Sequence, residues 1–171
     1  MKKYVVTGGP GVGKTTTIND LKKNGFYIVS ETAREIIEKS LKENSNVVPW
    51  IDLDSFNREV IKEQGKKEKA IPKNQERIFL YRGIVDALAY YDVAGKKPIP
   101  ELTEAIKKVN YEKVFILDRL PIYINDEARK EDNTKAEKIH KAIIKAYKKF
   151  NVFIVPVLSV KERTKWILNK I

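Results

Sequence analysis

Short apolar runs alternate with longer segments of mixed polarity along this chain. Each run is four to six residues long, rich in β-branched and aromatic side chains, and most are bounded by glycine, serine, aspartate or proline. Such runs are typical of strands that are buried on both faces of a sheet. They predict strands at residues 3–7, 26–30, 77–81, 113–118 and 151–156.

The intervening segments carry apolar residues at helical spacing. Helices are predicted at 14–24 and 84–94, and from about 32, 52–54, 100, 134 and 160 onwards. Three capping boxes support three of these starts, namely Thr32 with Glu35, Thr134 with Glu137 and Ser159 with Glu162. Residues 65–69, Gly-Lys-Lys-Glu-Lys, are predicted to form a solvated helix end or a mobile loop. The buried face of the second helix is predicted to hold Ala33, Ile36, Ile37, Ser40 and Leu41.

Strands that alternate with helices, each strand nearly continuous in apolar residues, favour a parallel sheet covered on both faces. The fold class predicted is therefore α/β, a doubly wound five-stranded parallel sheet. No internal repeat or domain boundary is visible, so residues 1–171 are predicted to form one domain.

The first strand runs directly into a Walker A sequence, Gly8-Gly9-Pro10-Gly11-Val12-Gly13-Lys14-Thr15. Glycines let the backbone curl so that several N–H groups point at a phosphate, and the following helix N-terminus favours that anion. A P-loop NTPase that binds ATP or GTP is predicted, with Lys14 on the β- and γ-phosphates and Thr15 on Mg²⁺. The predicted nucleotide-binding residues are Gly9, Pro10, Gly11, Val12, Gly13, Lys14, Thr15 and Thr16.

A magnesium ion at Thr15 also requires a carboxylate near the end of a neighbouring strand. Asp118 closes the predicted fourth strand and is the metal ligand we expect, although it could equally be a loop residue that caps the next segment. Glu31 follows the second strand and is the rival. It could act as a general base or hold a metal-bound water, or it could simply complement the dipole of the helix that it precedes.

Composition narrows the choice of partners. The chain has 42% hydrophobic and 33% charged residues, no cysteine and a net charge of +11. The charge could serve a nucleic-acid partner, but the lysines are spread over most helices and mixed with glutamate, which favours the surface of a heat-adapted protein instead. No apolar run is long enough to cross a bilayer. We expect a cytoplasmic protein that is a monomer or a homodimer and has no membrane partner.

Residues 81–91, Tyr-Arg-Gly-Ile-Val-Asp-Ala-Leu-Ala-Tyr-Tyr, resemble a segment of thymidylate kinases and the arginine-bearing strand–helix junction of deoxynucleoside kinases. The resemblance implies that Arg82 contacts the phosphoryl acceptor. The whole chain is similar to a family of small P-loop AAA-type ATPases or kinases that includes relatives of the nicotinamide-riboside kinase domain. The Walker A sequence, residues 31–37, residues 82–90, then Tyr123, Asp126 and Arg129, and finally Glu162 and Arg163 carry that similarity.

The same resemblance implies a lid at about residues 120–133, from which Arg129 would cover the transferring phosphoryl group. Arg129 could instead be a solvated helix residue paired with a neighbouring acid. The chain also departs from its relatives, which usually carry aspartate immediately before the arginine of the third strand. Tyr81 stands there, so the magnesium acid is expected to be Asp118 or Glu31.

The main hypothesis from the sequence is an ATP- and Mg²⁺-dependent kinase that acts on a small nucleoside, nucleotide or nicotinamide-riboside-like acceptor. Lys14, Glu31, Arg82 and Arg129 are its catalytic residues, and Arg34 helps to hold the acceptor. A regulatory switch or slow NTPase is the second hypothesis, although no guanine-reading Asn/Thr-Lys-x-Asp motif is present. Nucleic-acid binding is the third. His140 is interpreted as a surface residue, and Trp50 and Phe56 as packing residues that could alternatively line the acceptor pocket.

Overall fold

The computed structural model describes residues 1–119 and 133–171. The strands are β1 (Lys2–Thr7), β2 (Tyr27–Val29), β3 (Arg77–Tyr81), β4 (Lys113–Leu117) and β5 (Val152–Val155). The helices are α1 (Lys14–Lys23), α2 (Thr32–Lys42), α3 (Leu53–Lys69), α4 (Asp86–Val93), α5 (Pro100–Lys107), α6 (Asn133–Ala146) and α7 (Val160–Leu168).

The five strands form one parallel sheet in the order β2-β3-β1-β4-β5. The chain moves from β1 in one direction, past β3 to β2, and then returns in the other direction across β1 to β4 and β5. Because parallel crossovers are right-handed, this reversal places helices on both faces. The predicted doubly wound five-stranded sheet is thus confirmed.

Side chains of the central strands alternate between two apolar cores, as the twofold repeat of a strand requires. Val5, Ile78 and Leu80 belong to the core beneath α3, α4, α5 and α6. Tyr4 and Phe79 point to the opposite face, where they pack with apolar residues of α1 and α7. All five side chains are at most 1% exposed, so a rigid two-sided core supports the loops at the ends of the strands.

The direction of winding reverses between β1 and β3, which are adjacent in the sheet. The loops that leave the carboxyl ends of these two strands diverge to opposite faces and leave a crevice between them. Ligands of open α/β sheets bind at such a point. The Walker A loop follows β1, and Arg82 follows β3, so both open into this crevice.

Several local predictions were wrong. Of the two alternatives for residues 65–69, the helix end is correct and the loop is wrong: these residues end α3, where Gln64 is buried and Lys67 donates to Ser30 and Glu35 on a neighbouring segment. Of the three capping boxes, only that of Ser159 forms. Thr32 and Thr134 both lie inside their helices. Leu41, which was predicted to lie on the buried face of α2, is instead 56% exposed.

Candidate functional site

The Walker A loop has the left-handed backbone that glycine permits. Gly8, Gly11 and Gly13 have φ values of 139°, 77° and 86°. A Cβ at Gly8 would also lie 2.8 Å from the backbone oxygen of Leu117. Gly8 therefore combines a positive φ with a close approach to β4, and only glycine fits there. The loop therefore has the backbone geometry that a phosphate-binding turn requires.

Lys14 is buried at the first position of α1, with its ammonium group inside the loop. Its Nζ donates to the carbonyl oxygens of Gly8 at 3.0 Å and Gly9 at 2.7 Å. Thr15 and Thr16, the next two residues of the helix, are exposed. The loop thus presents a cation and two hydroxyl groups where the sequence predicts phosphate and metal binding.

The prediction that His140 is a surface residue was wrong. His140 is buried and contacts the Walker A loop. Its side chain on α6 is almost fully covered, and its Nδ1 accepts the backbone N–H of Gly9 at 3.1 Å. A ring nitrogen that accepts this bond must be unprotonated, so the proton of the neutral ring lies on Nε2. Burial lowers the pKa of His140, which the negative charge of Asp118 partly offsets. The amphipathic pattern of α6 could not reveal this contact, because it reports burial only against a neighbouring core.

Asp118 follows β4 directly, as expected, and is half exposed. One of its carboxylate oxygens accepts the backbone N–H of Arg119 at 2.8 Å and lies 3.9 Å from Nε2 of His140. Asp118 therefore caps its own loop and lies beside His140, which contacts the Walker A loop.

Arg82 adopts a left-handed backbone, with φ of 68°, which costs a non-glycine residue roughly 1 kcal/mol. Its guanidinium lies between two carboxylates: Nε donates to Glu31 at 2.8 Å and Nη1 to Asp86 at 2.7 Å. Nη1 also lies 3.4 Å from the oxygen of Gly8. Arg82 therefore joins the ends of β1, β2 and β3 and the start of α4.

Asp86 is the buried anchor of this group. Its carboxylate accepts the hydroxyl of Thr7 at 2.6 Å, the guanidinium of Arg82 at 2.7 Å and the hydroxyl of Tyr147 at 2.8 Å. These donors come from β1, from the loop after β3 and from the residue that follows α6. The sequence places Asp86 only within the segment that resembles thymidylate kinases, since a network of such distant partners leaves no local signal.

Glu31 is the second carboxylate on Arg82. Burial opposes its negative charge, but the charges of Arg82 and Lys14 and hydrogen bonds from Arg82 and Tyr81 together hold its pKa below the ordinary value. The Tyr81 hydroxyl also lies 2.7 Å from that of Thr15. Tyr81 therefore connects the hydroxyl proposed for Mg²⁺ with the carboxylate proposed as base, at the position where relatives carry aspartate.

One cavity of about 420 Å³ extends from the Walker A loop to a chamber between α2, α3 and α4. Pro10, Gly11 and Lys14 line the end at the loop, with Glu31 and Arg82 beside them. The rest of the wall is mainly apolar and aromatic and includes Ile37, Trp50, Phe56, Val60, Ile84 and Tyr90. Phe56 is buried, whereas Trp50 is 45% exposed at the rim. Arg34 also lines the cavity and is paired with Glu38 at 3.0 Å.

The remaining predictions concern the lid and the metal. Arg129, with Tyr123, Asp126 and residues 120–132 of the predicted lid, lies outside the described residues. Within residues 1–119 and 133–171, there is no group of three or more His, Asp or Glu side chains that could hold a metal ion. In the same described part of the chain, every helix is too short or too polar to cross a membrane.

Comparison with known proteins agrees with this geometry. The family model described as AAA domain matches residues 3–163. No curated protein matches the chain. Among the solved structures that are similar to this chain, the three described next have 13–21% sequence identity, so the similarity to them is one of fold alone.

The deoxyadenosine kinase from M. mycoides, with products dCMP and dCDP bound, superposes with a TM-score of 0.66 at 21% identity over 98% of this chain and 97% of that one. The thymidylate kinase from Ehrlichia chaffeensis gives 0.70 at 13% identity, over 99% and 97%. The NadR protein in complex with NR gives 0.68 at 20% identity, over 90% of this chain and 45% of that one. The chain thus spans about half the length of NadR.

Proposed function

The chain belongs to the AAA domain family, and we propose that this member is an ATP- and Mg²⁺-dependent kinase. The acceptor would be a small hydroxyl-bearing molecule of the nucleoside, nucleotide or nicotinamide-riboside kind. Solved kinases with the same fold act on nucleosides and nucleotides, and this supports the general class of reaction without naming the acceptor.

The observation that carries this proposal is the continuity of the cavity. One space of about 420 Å³ contains Lys14 at one end and an apolar, aromatic chamber at the other, with Glu31 and Arg82 at the junction. The volume lies within the range of small-molecule sites. A phosphoryl donor on the Walker A loop and an acceptor in the chamber would meet at that junction, and phosphoryl transfer depends mainly on such positioning.

The loop suits a nucleotide because its three left-handed glycines free its N–H groups to point inward and Lys14 supplies a cation. Thr15 would hold Mg²⁺ together with Asp118 or Glu31. The ion would neutralise charge on the phosphates. Near the ion, Lys14 would bind phosphate oxygens, and Tyr81 would hold the hydroxyl of Thr15 close to Glu31.

Glu31 would orient the acceptor and receive its proton. Its lowered pKa keeps it ionised at neutral pH, and the bond from Arg82 fixes its direction. A hydroxyl group could donate to this carboxylate, whereas a phosphate group would be repelled by it. Arg82 does not reverse that preference, because its single positive charge is exceeded by the two negative charges of Glu31 and Asp86. Among the described residues, these charges favour an uncharged nucleoside-like acceptor over a monophosphate.

The test is release of ADP from Mg-ATP, alone and with nucleosides, nucleoside monophosphates and nicotinamide riboside, using Lys14→Ala as the control. Release that rises with one acceptor class and is lost in Lys14→Ala supports a kinase, and we expect nucleosides to stimulate more than monophosphates. Release that ignores every acceptor would instead favour the alternative, a nucleotide-operated switch or slow NTPase.

A further inference from the structure

Arg163 on α7 is a buried arginine whose partners in the described residues are all uncharged. Its side chain is 5% exposed, more than 145 residues away in sequence from the Walker A loop that it contacts. Nη1 donates to the oxygens of Val12 at 3.2 Å and Gly13 at 3.3 Å and to the Thr17 hydroxyl at 3.1 Å. Nη2 donates to the oxygen of Leu158 at 3.1 Å.

A buried cation without a carboxylate is costly, and such groups are normally paired. Nε of Arg163 also has no hydrogen-bond partner in the part of the chain that the structure describes. Burial lowers the pKa of the guanidinium, which nevertheless stays protonated at neutral pH. Within residues 1–119 and 133–171, the fold therefore keeps a positive charge that no carboxylate pairs with, directly behind the second half of the Walker A loop.

The two carbonyl groups that Arg163 contacts determine where two N–H groups point. In a trans peptide the C=O and the following N–H are directed oppositely. The guanidinium holds the oxygens of Val12 and Gly13 on the α7 side, and the oxygen of Gly13 also accepts the N–H and hydroxyl of Thr17 and the hydroxyl of Thr16. The N–H groups of Gly13 and Lys14 are therefore turned to the other side of the loop. A cation on the oxygen end of a peptide also polarises its N–H end and makes it a stronger donor.

Gly13 leaves room for this contact. A Cβ on Gly13 would lie 2.6 Å from Nη1 of Arg163, and the residue also has φ of 86°. Gly13 thus has two requirements, a left-handed backbone and space for a guanidinium from the far end of the chain.

We propose that Arg163 is a positioning residue of the phosphate site: it orients and polarises the Gly13 and Lys14 N–H groups from behind the loop and so strengthens phosphate binding. This inference rests on the proposed function in that it takes the loop to bind a nucleotide. By reciprocity, phosphate bound to the loop strengthens the docking of α7 against it.

The experiment compares Arg163→Met, which has no charge or donors, with Arg163→Lys, which keeps one charged donor group. Thr164→Val is the matched control, since Thr164 is equally buried on the same helix and its hydroxyl has no partner in the described residues. Titration calorimetry would measure binding of ADP and of tripolyphosphate, which isolates the phosphate contribution. Thermal unfolding without ligand checks that each variant is folded.

We expect Arg163→Met to weaken both ligands by a similar factor, on the order of tenfold to a hundredfold, which corresponds to losing charge-assisted hydrogen bonds. The affinity of Arg163→Lys should lie between those of Arg163→Met and the wild type, and Thr164→Val should bind like the wild type. A folded Arg163→Met that binds both ligands within about twofold of the wild type would overturn the proposal, as would an equal loss in Thr164→Val.

Hydrogen exchange on the wild type keeps the test decisive if Arg163→Met does not fold. ADP should slow exchange of the α7 amides, and unchanged exchange in α7 at saturating ADP would overturn the inference. A wild type that binds neither ADP nor tripolyphosphate defeats the proposed function together with this inference, whereas wild-type binding that ignores Arg163 defeats this inference alone.

Discussion

Replacing Asp86 by asparagine tests whether the buried carboxylate organises the centre of the molecule. The substitution preserves size but removes the charge that three donors share, from Thr7, Arg82 and Tyr147. The amide nitrogen of asparagine would bring hydrogens towards at least one of those donors. Arg82 would keep only Glu31 as a compensating charge, although its side chain is only 13% exposed.

The expected loss follows from these contacts. Weakening one charge-assisted hydrogen bond costs about 1.5–3 kcal/mol, and breaking a buried ion pair costs about 3–5 kcal/mol. Since asparagine keeps part of the hydrogen bonding, we expect the free energy of unfolding to fall by about 3 kcal/mol. For a chain of this size, that corresponds to a decrease in Tm of roughly 6–12 °C.

Urea unfolding followed by circular dichroism would measure this difference. Asp92→Asn is the matched control, because Asp92 lies on the same helix but forms an exposed ion pair with Lys145 at 3.1 Å. Exposed pairs contribute at most about 1 kcal/mol, so this variant should be close to the wild type. If Asp86→Asn cost less than about 1 kcal/mol, or no more than Asp92→Asn, the reasoning about the buried network would be refuted.

Two further predictions follow from glycine positions and from Glu31. Gly83→Ala should destabilise by about 1–3 kcal/mol, since its Cβ would lie 2.6 Å from the hydroxyl of Tyr147, whereas Gly65→Ala, in open space on α3, should stabilise by about 0.5–1 kcal/mol. Equal effects of the two alanines in thermal unfolding would contradict the packing described at Gly83. Because the pKa of Glu31 is lowered below 4.5, its charge stabilises the fold fully above that pH and loses this effect as the pH falls through the lowered value. The stability advantage of the wild type over Glu31→Gln should therefore be largest at neutral pH and shrink below about pH 4.5 in urea titrations, and a constant difference from pH 7 to 3 would argue against an ionised, stabilising Glu31.

The sequence predicted the sheet well because its signals are local. The predicted third strand, 77–81, coincides with β3, and the other strands differ by one or two residues at their ends. Apolar runs of this length fit strands covered on both faces, and alternation with helices implies parallel crossovers. The Walker A loop was equally visible, since its glycines, Lys14 and Thr15 are contiguous.

The errors arise where a residue's neighbours are distant in sequence. His140 looked like a surface residue, because nothing near it indicates that Gly9 lies against it. For the end of α3, the sequence left a mobile loop as an alternative to a solvated helix end, because five polar or glycine residues in a row give no reason to expect anchoring by Ser30 and Glu35. Periodicity describes which side of a helix is covered by a core, but it does not describe polar contacts made between elements.

By itself, then, the sequence determined the fold class and the position of the Walker A loop, because each depends on residues adjacent in the chain; it also predicted Asp118 and Glu31 as candidate metal ligands. Only the tertiary structure decided how the charges are combined. It placed Arg82 between Glu31 and Asp86, Tyr81 between Thr15 and Glu31, and Arg163 behind Gly13. The physical reason is that charge pairing and hydrogen bonding act over a few ångströms in space, and the order of strands β2-β3-β1-β4-β5 alone determines which distant residues come that close.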